Sequence, residues 1–270
     1  MSSSRTEIKS QPAVWEHALA HAGELHAILP PAGARVLFFG CGTSAFVARA
    51  AAHLREHAGQ GESDWAFASE LPTHRTYDYV VAITRSGTTT EVLDALGSPQ
   101  LSAHRVVVTG VVDAVPAGLA DTVVDLGFAD EESVVQTRFP TTVLVLLRHL
   151  LGESQTAVVA EASRALARPL PVAVADYGHF VYLARGWGLG LADEAALKMR
   201  EAAQAWAESF PAMDYRHGPI AAADRQTLVV ALTDLDATLR ADIEATGATF
   251  ASLAEDPVVR LVQCQRLAID

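Results

Sequence analysis

The sequence predicts an α/β protein built from two mostly parallel, doubly wound sheets, each flanked by helices in a flavodoxin-like three-layer sandwich. Short apolar runs rich in β-branched residues alternate with helical stretches from Arg35 onward. Such alternation is typical of parallel strands that are covered on both faces. The pattern restarts after Pro169-Leu-Pro171, the best candidate for a hinge between two halves. We therefore expect an N-terminal tail and helix at residues 1–34, a first subdomain at 35–168 and a second at 169–270.

Local patterns place the individual elements. Residues 1–11 look disordered, and a helix is predicted over residues 12–29. Strands are predicted at residues 36–39, 65–69, 79–83, 105–109, 122–126, 180–183, 227–232 and 249–253. Helices are predicted to end near residues 57 and 96, to cover 136–151, 153–168, 192–208 and 237–246, and to begin at 257.

Composition narrows the classes of function. The chain has 270 residues, of which 50% are hydrophobic, and a formal net charge of −12. This charge opposes binding to nucleic acid or to anionic membranes, and the longest apolar runs are too short to span a bilayer. The polar N-terminus has no secretory signal, and the scarcity of cysteine (Cys41 and Cys264) suits a reducing cytoplasm. We expect a cytoplasmic protein whose ligand is a small molecule.

Two turns share a design that favours anion binding. Gly40-Cys-Gly-Thr-Ser44 and Thr84-Arg-Ser-Gly-Thr-Thr-Thr90 each follow a predicted strand and open a helix. A helix N-terminus offers unpaired N–H groups, hydroxyls add donors, and Gly lets the backbone come close to a ligand. The alternative is that the hydroxyls merely cap their helices. Two such turns at the carboxyl ends of parallel strands favour a phosphate site, to which Arg85 adds a cation unless it points to water.

The sequence indicates neither a cofactor nor a metal. No P-loop pattern is present, and Gly186-Trp-Gly-Leu-Gly190 lacks the spacing of a dinucleotide fingerprint. His17 and His21 have the spacing of a metal-binding pair on a helix, but no third ligand has a matching spacing. We interpret them as exposed helix histidines, and we expect the protein to work without a metal or a cofactor.

The helix predicted at residues 192–208 carries two polar stripes. The first stripe consists of Glu194, Lys198, Glu201 and Glu208, and the second of Asp193, Arg200 and Gln204. Both stripes together could form one solvated face, as charges on amphipathic helices usually do. The alternative is that the first stripe lines a site. The hydroxyl-rich turns before the helix and Arg216-His-Gly-Pro219 after it favour a site lined by Glu194, Lys198 and Glu201, with the second stripe solvated.

Several motifs together resemble a known family. In chain order they are Phe39-Gly-Cys-Gly-Thr-Ser44, Ala68-Ser-Glu70, Ile83-Thr-Arg-Ser-Gly-Thr-Thr-Thr-Glu91, Val134-Val-Gln-Thr-Arg138, Glu194-Ala-Ala-Leu-Lys-Met-Arg-Glu201 and Arg216-His-Gly-Pro219. They resemble the signatures of double SIS (sugar isomerase) domain proteins, which include the isomerase half of glucosamine-6-phosphate synthase. The resemblance covers about residues 35 to 265 and implies that each half of the chain is one SIS subdomain.

The resemblance implies roles for individual residues. Phosphate contacts are implied for Ser44, Thr84, Arg85, Ser86 and Thr89, and a sugar pocket for Gly42, Thr43, Val134, Gln136 and Glu194. Glu201 matches the glutamate that moves a proton between C1 and C2 of the sugar, with Lys198 beside it. His217 matches the histidine that assists ring opening, which in the family reaches into the neighbouring subunit's site, so a homodimer or a larger oligomer is implied. Arg85 departs from the family, which often has glutamine there.

The implied function is a sugar-phosphate aldose–ketose isomerase, or an amino-sugar-phosphate isomerase or deaminase of the glucosamine- or galactosamine-6-phosphate type. Such chemistry needs a phosphate anchor, an acid–base group for ring opening and a base over the reacting carbon. A non-catalytic phosphosugar sensor and a fructosamine-phosphate deglycase remain as alternatives. The sequence lacks the synthases' amidotransferase domain and the lysine of their C-terminal tail, so we expect no synthesis of amino sugars from glutamine.

Overall fold

The computed structural model describes residues 3–72, 74–98, 101, 103–251 and 253–270. The first sheet contains β1 (Val36–Gly40), β2 (Ser63–Phe67), β3 (Tyr79–Ile83), β4 (His104–Thr109) and β5 (Thr122–Asp125), in the order β2-β1-β3-β4-β5. The second contains β6 (His179–Ala184), β7 (Trp206–Pro211), β8 (Thr227–Ala231) and β9 (Thr249–Ala251), in the order β7-β6-β8-β9. All neighbouring strands are parallel.

Helices connect and cover these strands. They are α1 (Ser3–Ala20), α2 (Thr43–His57), α3 (Thr90–Gly97), α4 (Arg138–Leu150), α5 (Thr156–Ala167), α6 (Gly188–Lys198), α7 (Ala237–Ala245) and α8 (Pro257–Ile269). No helix within the described ranges is long and apolar enough to cross a membrane. The predicted fold class is confirmed, because each sheet is parallel, doubly wound and flanked by helices.

Strand side chains alternate between the two faces of each sheet, and each face packs in a different apolar cluster. Leu37 and Phe39 of β1 pack in one cluster with α3, whereas Phe38 points to the other face of the sheet. In the second sheet, Val181 packs with α7 and Tyr182 faces the opposite way. The inner faces of both sheets belong to one apolar cluster that also contains residues of α1, α2, α4, α5, α6 and α8. The two sheets therefore share a helical layer.

Helices α2 and α6 pack unusually closely within that layer. A Cβ on Gly190 of α6 would lie 2.3 Å from the carbonyl oxygen of Phe46 and 2.9 Å from the backbone nitrogen of Ala50 on α2. An ion pair of 2.6 Å between Arg49 and Asp193 joins the same two helices. This contact brings residues of the second half of the chain to the turns of the first half.

The expectation of disorder over residues 1–11 is wrong for the part that the structure describes. Helix α1 begins at Ser3 and buries Ile8 and Trp15, and the Trp15 indole donates a hydrogen bond to the Thr141 hydroxyl at 3.2 Å. Polar residues between these anchors hide the apolar pattern of the helix. Helix α1 also ends earlier than predicted, at Ala20, and only a short 3-10 turn follows at His26–Ile28.

The single helix predicted over residues 192–208 is also wrong. Helix α6 ends at Lys198, a π-helical turn follows at Met199–Ala203, and residues 206–211 form the edge strand β7. The break occurs at Gln204, whose φ of 51° is left-handed. Helix-forming residues around the break favour helix locally, but pairing with β6 outweighs this preference because it completes the sheet.

Candidate functional site

The turn after β1 packs directly against the end of β3. A Cβ on Gly40 would lie 2.7 Å from the Ser44 Cβ and 2.9 Å from the Ile83 carbonyl oxygen, so only glycine fits between them. Gly42 has a φ of 52° at the N-cap, and α2 begins at Thr43. Thr43 and Ser44 are both buried. This turn therefore presents two hydroxyls at a helix N-terminus.

The turn after β3 is rich in hydroxyls that contact one another. The Thr84 and Thr89 hydroxyl oxygens lie 3.5 Å apart. The Ser86 hydroxyl accepts hydrogen bonds from the N–H and the hydroxyl of Thr88 at 3.3 and 3.0 Å. Because the strand order reverses between β2-β1 and β3-β4, both turns lie at the topological switch point, where doubly wound sheets bind ligands.

Arg85 spans from the second turn to the chain after β5. Its Nη1 donates to the Glu131 carbonyl oxygen at 2.7 Å and pairs with the Asp130 carboxylate at 3.2 Å. Its Nε is buried and has no hydrogen-bond partner. The Asp130 carboxylate therefore partly neutralises the Arg85 guanidinium. The sequence patterns did not single out Asp130 and Glu131, although an acidic run shortly after a predicted strand is a visible signal.

The loop predicted to line a sugar pocket is held from two sides. The Glu131 carboxylate accepts hydrogen bonds from the N–H and the hydroxyl of Thr137, each at 2.7 Å, and burial raises the pKa of that carboxyl. Glu7 of α1 accepts a backbone N–H of the same loop at 2.7 Å. Between these supports, Val134 is 89% exposed and the Gln136 Oε1 is buried without a partner. The loop thus offers one apolar and one amide group.

A buried lysine joins α6 to the first hydroxyl turn. The Lys198 Nζ lies 2.5 Å from the Glu201 Oε2 and 3.3 Å from the Glu194 Oε1. The same ammonium donates a hydrogen bond to the Thr43 hydroxyl at 3.0 Å. Lys198 is 1% exposed, whereas the Glu201 side chain is 35% exposed. The structure therefore brings together four residues that the sequence predicted for one site, with Glu201 facing outward.

The π-helical turn after α6 shapes this cluster. Such turns are rare and occur frequently at functional sites. Glu201 lies in the turn and contacts Lys198, whereas the neighbouring Arg200 donates to the Ala207 carbonyl oxygen at 2.7 Å. The wider turn therefore directs a carboxylate to the site and a cation toward strand β7.

Burial sets the protonation of the cluster. Burial raises the pKa of Glu194 to about 7, although the Lys198 ammonium opposes the shift. Neither Glu194 oxygen accepts a directed hydrogen bond, and the 3.3 Å contact with Lys198 is an ion pair. Burial lowers the pKa of Lys198, but the two carboxylates outweigh burial and the net shift is upward. The lysine therefore stays charged at neutral pH, and Glu194 holds its proton to a higher pH than an ordinary glutamate does.

His217 does not join this cluster within one chain. It ends a short 3-10 turn at Asp214–His217, is exposed, and is followed by Gly218 with a φ of 135°. Among the described residues it makes no hydrogen bond or ion pair with Lys198 or Glu201. Its side chain is therefore open to another molecule.

Two polar residues of the predicted helix have other roles than expected. Asp193 was predicted to be solvated, but it pairs with Arg49 at 2.6 Å and accepts a hydrogen bond from Ser209 at 2.7 Å. Glu208 lies on β7, not on the helix, and contacts His179 at 2.9 Å. The predicted stripe therefore ends at Glu201, because the chain changes from helix to strand after it.

The chain is similar to known proteins in sequence and in fold. No family model matches the chain. It is 29% identical over 228 residues to glutamine–fructose-6-phosphate aminotransferase (isomerizing) from Thermus thermophilus, which covers 73% of the chain and 37% of that relative. The chain therefore spans little more than a third of that relative's length.

Solved structures share the fold over nearly the whole chain. Glucosamine-6-phosphate deaminase from Thermotoga maritima has a TM-score of 0.81 at 22% identity, over 99% of this chain and 93% of that one. Tagatose-6-phosphate ketose/aldose isomerase from Escherichia coli has a TM-score of 0.78 at 18% identity, over 99% and 91%. These likenesses show the fold, and the sequence relative is consistent with the resemblance stated above.

Proposed function

We propose that the chain binds a sugar phosphate and catalyses isomerisation of the aldose–ketose or amino-sugar-phosphate type, or the related deamination. The observation that carries this proposal is the Lys198 ammonium, which touches both Glu201 and the Thr43 hydroxyl of the first turn. A candidate base and a candidate phosphate cradle are thereby fixed to one another.

The phosphate would bind at the switch point of the first sheet. The hydroxyls of Ser44, Thr84, Ser86 and Thr89, together with the N-termini of α2 and α3, supply neutral donors there. Arg85 would act mainly by holding the turn against Glu131, and its buried Nε would be one further donor. Neutral donors with a helix dipole suit a dianionic phosphate without adding a competing internal charge.

Glu201 would move the proton. In an open-chain aldose phosphate, its carboxylate removes the proton from C2, the electrons form a C1–C2 double bond, and O1 takes up a proton. Return of the proton to C1 and loss of the O2 proton give the ketose. The Lys198 ammonium, 2.5 Å from the Glu201 carboxylate, would stabilise negative charge that develops on the sugar oxygens. His217 would open the ring by taking the O1 proton and protonating the ring oxygen.

Replacement of Glu201 tests this assignment. Glu201→Gln should lower turnover by a factor of about 10² to 10⁴. Hexose phosphates should still raise the melting temperature of this variant. Glu208→Gln is the matched control, because the sequence pattern grouped the two residues and the structure separates them. Normal turnover in Glu201→Gln would remove this residue from the mechanism. Release of ammonia or of an amino acid from amino-sugar substrates distinguishes a deaminase from a deglycase.

We further propose that a second copy of the chain completes the site. His217 is exposed and has no partner in the cluster of its own chain, among the described residues. Within one chain the proposed ring-opening group does not contact the proposed base, so a second copy would supply His217 to the site.

Subunit mixing tests the shared site. Glu201→Gln and His217→Ala should each be inactive alone. After subunit exchange, mixed dimers contain one intact site, so about a quarter of the wild-type activity should return. Exchange that is verified by mass while activity stays absent would contradict the arrangement.

A phosphosugar sensor is the second candidate. The same exposure of His217 favours it, because within one chain the ring-opening group does not contact the base. Saturable binding of a sugar phosphate, without turnover of any member of a broad panel at any protein concentration, would support the sensor and oppose the enzyme.

A further inference from the structure

A cavity of about 490 Å³ lies where the start of α1 meets the ends of α5 and α8. Ile8, which is buried, and Leu166, which is half-buried, give it an apolar part. Four cations also line it: Arg5, Lys9, Arg168 and Arg266. Its residues share nothing with the hydroxyl turns or the Lys198 cluster.

The charge of this cavity is opposite to that of the protein. The chain has 20 Lys and Arg residues against 32 Asp and Glu residues, but the cavity is lined by four cationic residues and by Asp270 as the one acidic residue of its lining. The carboxyl ends of α5 and α8 account for part of this charge, since helix C-termini attract cations. Arg266 meets that need at α5, where its Nη1 donates to the Ala165 and Arg168 carbonyl oxygens, both at 2.9 Å.

Asp270 indicates what the cavity accepts. Its carboxylate lies 2.9 Å from the Nε of Arg5 and 3.8 Å from the Nε of Arg266. A carboxylate of the chain itself therefore sits between two guanidinium groups. Guanidinium forks match carboxylate and phosphate oxygens in pairs, so an external oxyanion is the type of group that these guanidinium groups bind.

We propose that this cavity is a second binding site, separate from the candidate active site, and that it takes a small organic anion. The phosphate or carboxylate group lies against Arg5 and Arg168, and the apolar body of the ligand packs on Ile8 and Leu166. Asp270 competes for the same cations and weakens the binding. The cavity has both a cationic and an apolar part. The ligand class is therefore an oxyanion attached to an apolar or aromatic group, which would contact both parts.

Calorimetric titration with phenyl phosphate tests the site. We expect saturable binding that is tighter than that of inorganic phosphate and absent for benzyl alcohol. Arg168→Gln should weaken binding about five-fold or more. Replacement of Arg164, an exposed cation on α5 that does not line the cavity, with Gln should leave binding unchanged. Asp270→Asn should tighten binding about three-fold, because it removes the side-chain carboxylate that competes with the ligand for the guanidinium groups. A mere folding defect produces no such gain.

Two results would overturn the proposal. The first is phenyl phosphate affinity that is equal in Arg168→Gln, Asp270→Asn and wild type. The second is affinity that falls in a Ser86→Ala and Thr89→Ala double variant but not in Arg168→Gln, since the probe then binds at the hydroxyl turns. Melting temperatures of the variants, measured without ligand, verify that each is folded.

Discussion

Replacement of Glu194 with Gln should make the stability of the chain less dependent on pH. Burial raises the pKa of this carboxyl from 4.5 to about 7 in the folded state. The folded state therefore holds the proton more tightly than the unfolded state does. The associated stability is fully present below about pH 4.5 and is lost as pH rises through about 7. A shift of this size corresponds to about 3.5 kcal/mol, because one pKa unit is about 1.4 kcal/mol.

Urea unfolding at pH 5 and pH 8 measures the effect. The free energy of unfolding of Glu194→Gln, relative to wild type, should increase by about 2.5 kcal/mol between these two values. Glu16→Gln, an exposed glutamate on α1, is the matched control and should follow the wild-type curve. If Glu194→Gln keeps the wild-type dependence on pH, Glu194 is not the buried titrating group that we describe.

Two further substitutions test the junction of the halves. Gly190→Ala should lower the free energy of unfolding by about 2 kcal/mol, because its Cβ would lie 2.3 Å from the Phe46 carbonyl oxygen. The control is Gly23→Ala, which has open space around it and should change the free energy of unfolding little. Equal thermal midpoints of the two variants would contradict the close contact of α2 and α6. Thr43→Val should cost about 1 kcal/mol, because the Lys198 ammonium loses a hydroxyl acceptor; an unchanged urea midpoint would show that this bond does not stabilise the fold.

Most elements of the fold could be predicted from the spacing of hydrophobic residues in the sequence. The apolar runs of β1, β3 and β8 are buried on both faces, so their residues carry an unambiguous strand signal. Strand β7 lacks this strand signal, because it lies at a sheet edge and its Ala, Glu and Trp residues resemble a helical sequence locally. The start of α1 was not predicted for a related reason. Its polar residues are buried against partners that are distant in the sequence, and Gln11, for example, donates a hydrogen bond to Gln265 at 2.8 Å. Pairing of this kind is invisible to local pattern.

The turns of the candidate site could be predicted from the sequence, but the contacts between its residues could not. The two hydroxyl turns were predicted from strand–turn–helix chemistry, and the structure has helices beginning at Thr43 and Thr90. The contact between Lys198 and Thr43 joins residues far apart in the chain, so only the packing of α6 on α2 reveals it. The ion pair of Arg85 with Asp130 is hidden for the same reason. The roles of these residues in catalysis stay predictions.

Deuterium exchange at the sugar carbons tests the central claim most directly. In D₂O with fructose 6-phosphate or glucosamine 6-phosphate, proton NMR follows loss of the hydrogen at C1 or C2. We predict exchange with the wild-type protein and none with Glu201→Gln, which should still bind the same ligand by thermal shift. Exchange that persists in Glu201→Gln, or binding of both ligands by the wild type without any exchange, would contradict the claim that Glu201 transfers the proton.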